Sequence, residues 1–285
     1  MHPGGQAMRI LHPTDFSRTA EKARRLALTL GERLGGDVHI IYAQQRFETE
    51  PRRFLQPTPD ALNPEAVRRL EEARADEVRR IQERLKNLAA EGGSWELRWG
   101  HPVTEVLDAA EACDLIVMGA HGANRIDAFF LGGVAGRVVR RTDVPVLTVR
   151  EECTVDDVTA VLVATDFGDA SKHAWQHLEG WVEKGVALHL AHVIDDPRYH
   201  GDADYVRRAE EAMEAMAHGH AASMHVQEGN PIEVLPRLAS EVDADAIAVG
   251  VRRHTGAIGL LLGSRADALL RSSDVPVLSI PHSEA

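Results

Sequence analysis

The 285-residue chain repeats itself, and that repeat limits its fold more than any other feature. Residues 114–122 read DLIVMGAHG and residues 143–150 read DVPVLTVR, while residues 245–253 read DAIAVGVRR and 274–281 read DVPVLSIP. Gly119, Gly132 and Pro145 return as Gly250, Gly263 and Pro276, each 131 residues later. Gly100-His101-Pro102 returns as Gly229-Asn230-Pro231, offset by 129. The openings ILHPTDFSRTA and VLVATDFGDAS place Asp15 and Asp166 at an offset of 151. The first copy therefore carries about twenty extra residues, assigned to the four-proline run 46–64, which reads as a long loop. The expected division is 1–150 and 151–285, with the boundary in the polar stretch EECTVDD.

Each copy alternates strand and helix patterns. Arg9–His12 opens as a strand that stops at Pro13, and Ser17 caps a helix with apolar residues at helical spacing up to Gly35-Gly36. Val38–Ala43 is a β-branched run, and Glu65–Glu91 a charged helix with a solvated face. Trp95–Trp99 alternates, Val103–Cys113 is a short helix, and Leu115–Met118 is wholly apolar, as in a parallel strand covered on both faces. Val134–Arg141 is a helix and Val144–Val149 a closing strand, and the second copy repeats the order from Ala160 to Ile280. This predicts an α/β protein of two tandem doubly wound domains, each an open, mostly parallel five-stranded sheet with helices on both faces.

Ligands of such sheets sit beyond the carboxyl ends of the strands. There the first copy puts Thr14-Asp15, Ala43, Gly100-His101-Pro102 and Gly119, and the second Thr165-Asp166, Val193, Gly229-Asn230-Pro231 and Gly250. The glycine spacing is the sharper signal. Gly119-Ala-His121-Gly122 is followed after nine residues by Gly132-Gly133 and at once by a helix from Val134. Backbone amides of such a loop and helix start can hold phosphate oxygens. The second copy reads Gly250-Val-Arg-Arg253, nine residues, then Gly263-Ser264-Arg265. It has the hydroxyl that Gly133 lacks, but an arginine in place of Gly122.

In these motifs the chain resembles the universal stress protein family over nearly its whole length, as two tandem domains. Nucleotide-binding members carry G-x2-G-x9-G-[ST] after the fourth strand, an Asp ending the first, and a G-x-P loop after the third. The resemblance implies a Rossmann-like, adenine-nucleotide-hydrolase-like fold that binds ATP (or ADP or AMP), with Mg²⁺ between the phosphates. Asp15 and Asp166 would lie beside the nucleoside, and the backbone near Ala43 and Val193 would read adenine. Gly119, Gly122, Gly132 and Gly133, and Gly250, Gly263 and Ser264, would hold ribose and phosphates. Arg253 would either crowd the phosphates or pair with them, and Arg252 and Arg265 add local positive charge. The first copy ranks slightly above the second as the ATP site. The closing strands are expected to meet across a pseudo-twofold, making one chain a pseudo-dimer, with a homodimer and a regulatory protein partner also in view.

The bland readings stand beside these. Asp15 and Asp166 could serve only as helix caps, Gly119 and Gly250 only to end a strand and turn the chain, and the G-x-P loops only as turns. His121 is a loop histidine with a solvated role as the simpler reading. Two rival functions follow: a scaffold with both pockets degenerate, and a slow ATP hydrolase using Asp15 or His121. No metal set is expected from the 15 histidines; His189 and His192, three apart on a strand, point to opposite faces. Residues 1–150 hold 22 Lys and Arg against 21 Asp and Glu, and residues 151–285 hold 10 against 23, so neither half has the basic excess of a nucleic-acid binder. With two cysteines, no membrane-length apolar run and no signal-peptide core, the expectation is a cytoplasmic protein without membrane contact.

Overall fold

The structure is a computed structural model that describes residues 7–45, 64–122, 131–253 and 263–283. The proline-rich insertion, except Pro64, and the spacers between the paired glycines, except Leu131, lie outside the described residues. The first half contributes β1 (Met8–Pro13), α1 (Arg18–Leu34), β2 (Gly36–Gln44), α2 (Pro64–Ala89), β3 (Ser94–Trp99), α3 (Pro102–Ala110), β4 (Leu115–Gly119), α4 (Ala135–Arg141) and β5 (Val146–Val149). The second contributes β6 (Ala160–Ala164), α5 (Asp169–Val182), β7 (Ala187–Ile194), α6 (Ala203–Ala217), β8 (Ser223–Glu228), α7 (Pro231–Glu241), β9 (Ala246–Arg253), α8 (Ser264–Ser272) and β10 (Val277–Ser283).

Local chemistry explains the boundaries. The Ser17 hydroxyl accepts the Ala20 N–H at the start of α1, and Gly35 ends that helix at φ 69°, a left-handed conformation that glycine adopts without steric cost. Pro102 and Pro231 each open a helix, where a missing N–H removes nothing. The strands β4 and β6 are buried apolar runs, and β1 is buried at its centre, because helices cover both faces of the sheet.

The ten strands form one sheet in the order β3-β2-β1-β4-β5-β10-β9-β6-β7-β8. Within each half the neighbours run parallel, and among the described residues the one antiparallel ladder joins β5 to β10, with Val277 opposite Thr148 and Ser279 opposite Val146. The sequence reading expected two five-stranded sheets whose closing strands met. The structure makes that meeting continuous, so β5 and β10 lie at the centre and β3 and β8 form the edges. The Thr148 hydroxyl donates to the Val277 carbonyl, and Arg140 of α4 pairs with Asp267 of α8 at 2.7 Å, so the join has both backbone and side-chain bonds.

Side chains alternate across the sheet and build two cores. Ile10, Ile40, Val163 and Leu190 pack with α1, α2, α5 and α6. Leu11, Ile41, Leu162 and Val193 pack with α3, α4, α7 and α8. Each core draws residues from both halves. In each half the strand order reverses direction beside the first strand: β1 lies between β2 and β4, and β6 between β7 and β9. These are the switch points where crossing connections leave a crevice.

Candidate functional site

At the second switch point the described residues enclose a crevice of about 890 Å³. Its floor is Thr165 and Asp166 at the end of β6, His192 and Val193 of β7, and Gly250 to Arg252 of β9. Its rim is Pro231 of α7, Tyr205 of α6, and Gly263, Ser264 and Arg265 at the start of α8.

The turn after β6 is held by its own side chains. The Thr165 hydroxyl accepts the Phe167 N–H at 2.9 Å, and Phe167 sits at φ 63°. Asp166 Oδ1 accepts the Gly168 N–H and the Ser171 hydroxyl, each at 2.9 Å. Burial pushes the Asp166 carboxyl upward, but the Gly168 amide, the Ser171 hydroxyl and the nearby Arg252 charge outweigh it, so its pKa lies below the ordinary value. The carboxylate is therefore ionised at neutral pH, and it braces the entry to α5 while facing the crevice. The first copy repeats the turn: Phe16 N–H to Thr14 hydroxyl at 3.1 Å, Ser17 N–H to Asp15 Oδ1 at 3.0 Å, and Phe16 at φ 61°. Both aspartates brace the turn ahead of the helix, but neither is its N-cap: that position is Ser17 in α1 and Gly168 in α5.

The glycines divide into two kinds. A Cβ on Gly250 would collide with the Ala170 carbonyl, and one on Gly119 would stand 3.1 Å from Thr19 Cγ2 and 3.2 Å from the Ala20 nitrogen. These two glycines let β4 touch the first turn of α1 and β9 the first turn of α5. Gly122 lies against the carboxylate of Asp15, where a Cβ would be 2.7 Å from Oδ2, and the Gly132 N–H donates to the Ala120 carbonyl at 2.7 Å. The first copy thus gathers Asp15, Gly119, Gly122 and Gly132 in one place. Gly133 accepts Arg137 Nε at 2.7 Å on its carbonyl, and Val134 is the N-cap of α4 without a side-chain cap bond. Among the described residues a Cβ on Gly263 would meet nothing within 4 Å beyond its chain neighbours, and as the N-cap of α8 Gly263 supplies no side-chain cap either. The amides of a helix's first turn have no partner within the helix, so those of α8 can meet solvent or a ligand.

The G-x-P loops act as helix entries. Gly100 and Gly229 donate their N–H groups to Gln44 and Ile194, each at 3.0 Å. His101 Nδ1 accepts the Val103 N–H, and Asn230 Oδ1 the Ile232 N–H. Only Pro231 of the second loop reaches the crevice lining. Ala43 closes β2 in register with Arg98 of β3, and Val193 lines the second crevice as expected from its place at the end of β7. Arg253 ends β9, and its side chain lies outside the described residues.

Sequence reasoning does not reach three groups of this crevice. His192 is buried, with Nδ1 donating to the Thr165 carbonyl at 2.9 Å, and its ring stands 4.5 Å from that of Phe167. Tyr205 stacks on Tyr199 at 4.8 Å and comes from α6, whose sequence reads as an ordinary charged helix. Asp195 pairs with Arg265 across the mouth, joining the end of β7 to α8. The Arg252 guanidinium reaches the turn at Gly168 and Asp166, and among the described residues it forms no ion pair.

The sequence model of the Universal stress protein family matches residues 7–150 and again 158–281. The chain belongs to the universal stress protein family. A solved universal stress protein from Archaeoglobus fulgidus superposes with a TM-score of 0.68 and 26% identity, covering 97% of this chain and 99% of that one. A universal stress protein of Methanocaldococcus jannaschii is 27% identical over 148 residues, 50% of this chain and 82% of the relative. One from Mycobacterium bovis is 25% identical over 197 residues, 64% of this chain and 67% of its own length. As a universal stress protein with two matched repeats, the chain keeps the family fold in both halves. Among the described residues no helix is long and apolar enough to cross a membrane.

Proposed function

We propose that this universal stress protein binds an adenine nucleotide, ATP as the type ligand, in the crevice of its second half, and acts as a nucleotide-dependent regulator of the stress response. The observation that carries the reading is the convergence of an uncapped helix start, Gly263-Ser264, with Arg252 and Arg265 on one crevice of about 890 Å³. That volume lies within the range of small-molecule and cofactor sites, roughly 300–1,000 Å³. Phosphates would take the α8 amides, the Ser264 hydroxyl and the two guanidinium groups. The nucleoside would lie toward β6 and β7, between Asp166 and the backbone at Val193. Arg265 would exchange Asp195 for phosphate. The lining holds two carboxylates, Asp166 and the Asp195 that Arg265 would release, as the acidic groups suited to a Mg²⁺ carried by the phosphates.

Motif spelling alone favours the first copy. The open space at Gly263 and the absence of an ion pair at Arg252, both among the described residues, together with the hydroxyl of Ser264, move the proposal to the second. Equilibrium dialysis with labelled ATP and Mg²⁺ tests it. Ser264→Ala removes one neutral hydrogen bond and weakens binding by up to about tenfold. Arg252→Gln removes a charge-assisted contact and weakens it by roughly tenfold to a hundredfold. Retention unchanged in both variants would move the nucleotide to the first copy. No retention by the unaltered protein at millimolar ATP would favour the scaffold reading, which the departures at Gly133 and Arg253 motivate.

A further inference from the structure

The edge of the second half carries a pair of histidines outside the crevice lining. His189 of β7 and His225 of β8 face each other with Nδ1 and Nε2 3.1 Å apart and ring centroids 5.4 Å apart at 25°. The register sets His189 opposite Ser223 and Ala191 opposite His225, so the two are diagonal neighbours on one face. Both are half-buried and reach solvent.

The first half holds the same three positions with other chemistry. His39 stands opposite Ser94 and diagonal to Glu96. Its Nδ1 meets the Ser94 hydroxyl at 2.8 Å and its Nε2 lies 3.4 Å from Glu96 Oε2, which also takes Arg98 Nε at 2.9 Å. In the second half Glu96 is replaced by His225 and Arg98 by Gln227. The replacement removes the cation and sets two nitrogen ligands side by side.

We propose that His189 and His225 form a two-histidine site for a divalent transition metal, with Zn²⁺ as the type ion and water in the remaining positions. Two nitrogens 3.1 Å apart subtend roughly 100° at an ion bonded to each at about 2.0–2.1 Å, the angle of adjacent ligands. Imidazole suits Zn²⁺, Cu²⁺ and Ni²⁺. Metal ligation needs the neutral imidazole, and the direct contact between Nδ1 and Nε2 is one that two neutral rings can make. The hydrogen now shared between the rings moves to the other nitrogen of its own ring through solvent, and no net proton is released. Among the described residues no set of three or more His, Cys, Asp or Glu converges, so the site is bidentate and its ion exchangeable. Sequence reading expects no metal, because partners 36 residues apart meet only through strand pairing.

The test uses the tag-free full chain after chelator treatment, titrated at pH 7.5 with Zn²⁺ against a colorimetric zinc indicator. The unaltered protein takes up one equivalent more than His225→Gln or His189→Gln, whereas His39→Gln keeps that equivalent. Nitrogen-resolved NMR of the unaltered protein then shows the His189 and His225 ring signals among the first to shift, a readout that needs no variant. Equal uptake by the unaltered protein and both variants, or ring signals that stay fixed through one equivalent, overturns the proposal.

Discussion

At the scale of the residue, His12 shows most plainly how burial sets chemistry. It is fully buried on β1, with Nδ1 donating to the Val117 carbonyl at 2.9 Å. Burial lowers its pKa from 6.5 to about 4, with the Arg24 charge adding to the fall and the Val117 bond opposing it. The unfolded chain therefore takes up a proton near pH 6.5 that the folded chain refuses until about pH 4. Stability from this group is complete above pH 6.5 and is lost as pH falls through that window, by about 3 kcal/mol at the bottom. The second repeat carries Val163 at the same place, buried in the same core. His12→Val is therefore expected to flatten the decline in urea stability between pH 7.5 and 4.5, leaving the smaller slope of His173, His189 and His225, whose pKa values are also lowered. A decline as steep in the variant as in the parent would sink this account.

At the scale of the element, the glycine pattern separates packing from binding. Gly250→Ala would press a methyl group into the backbone of α5, a clash no side-chain rotation relieves, and is expected to cost more than about 2 kcal/mol. Gly263→Ala meets open space at a residue without positive φ and is expected to change the melting point little while perturbing nucleotide uptake. Thermal melts beside dialysis separate the two effects, and equal destabilisation by both changes would contradict the assignment. Sequence periodicity and capping residues placed the strands and helices to within a few residues, because Ser17, Gly35, Pro102 and Pro231 act on their own neighbours. The paired TDF turns were legible for the same reason. Tyr205, the Asp195–Arg265 bridge and the His189–His225 pair were not, since each depends on which element lies beside which. The closing strand illustrates the boundary between the two regimes: Val144 and Pro145 extend its pattern, yet pairing begins at Val146, where β4 and β10 offer partners.

At the scale of the whole molecule, the antiparallel ladder between β5 and β10 turns two repeats into one sheet. Val146 to Val149 are all buried, so separating the halves would expose an apolar strand with unpaired backbone groups. A fragment of residues 152–285 is expected to restore the lost ladder by pairing β10 with a second copy of itself, giving a dimer in sedimentation velocity. A fragment that stays monomeric at tens of micromolar would show that the ladder contributes little to association. The antiparallel join has one more effect. Because the strands of the two halves point in opposite directions, their crevices open on opposite rims, back to back. A small globular reader seated at one mouth cannot touch the other, so any partner that senses both must either wrap around the sheet or arrive as two bodies.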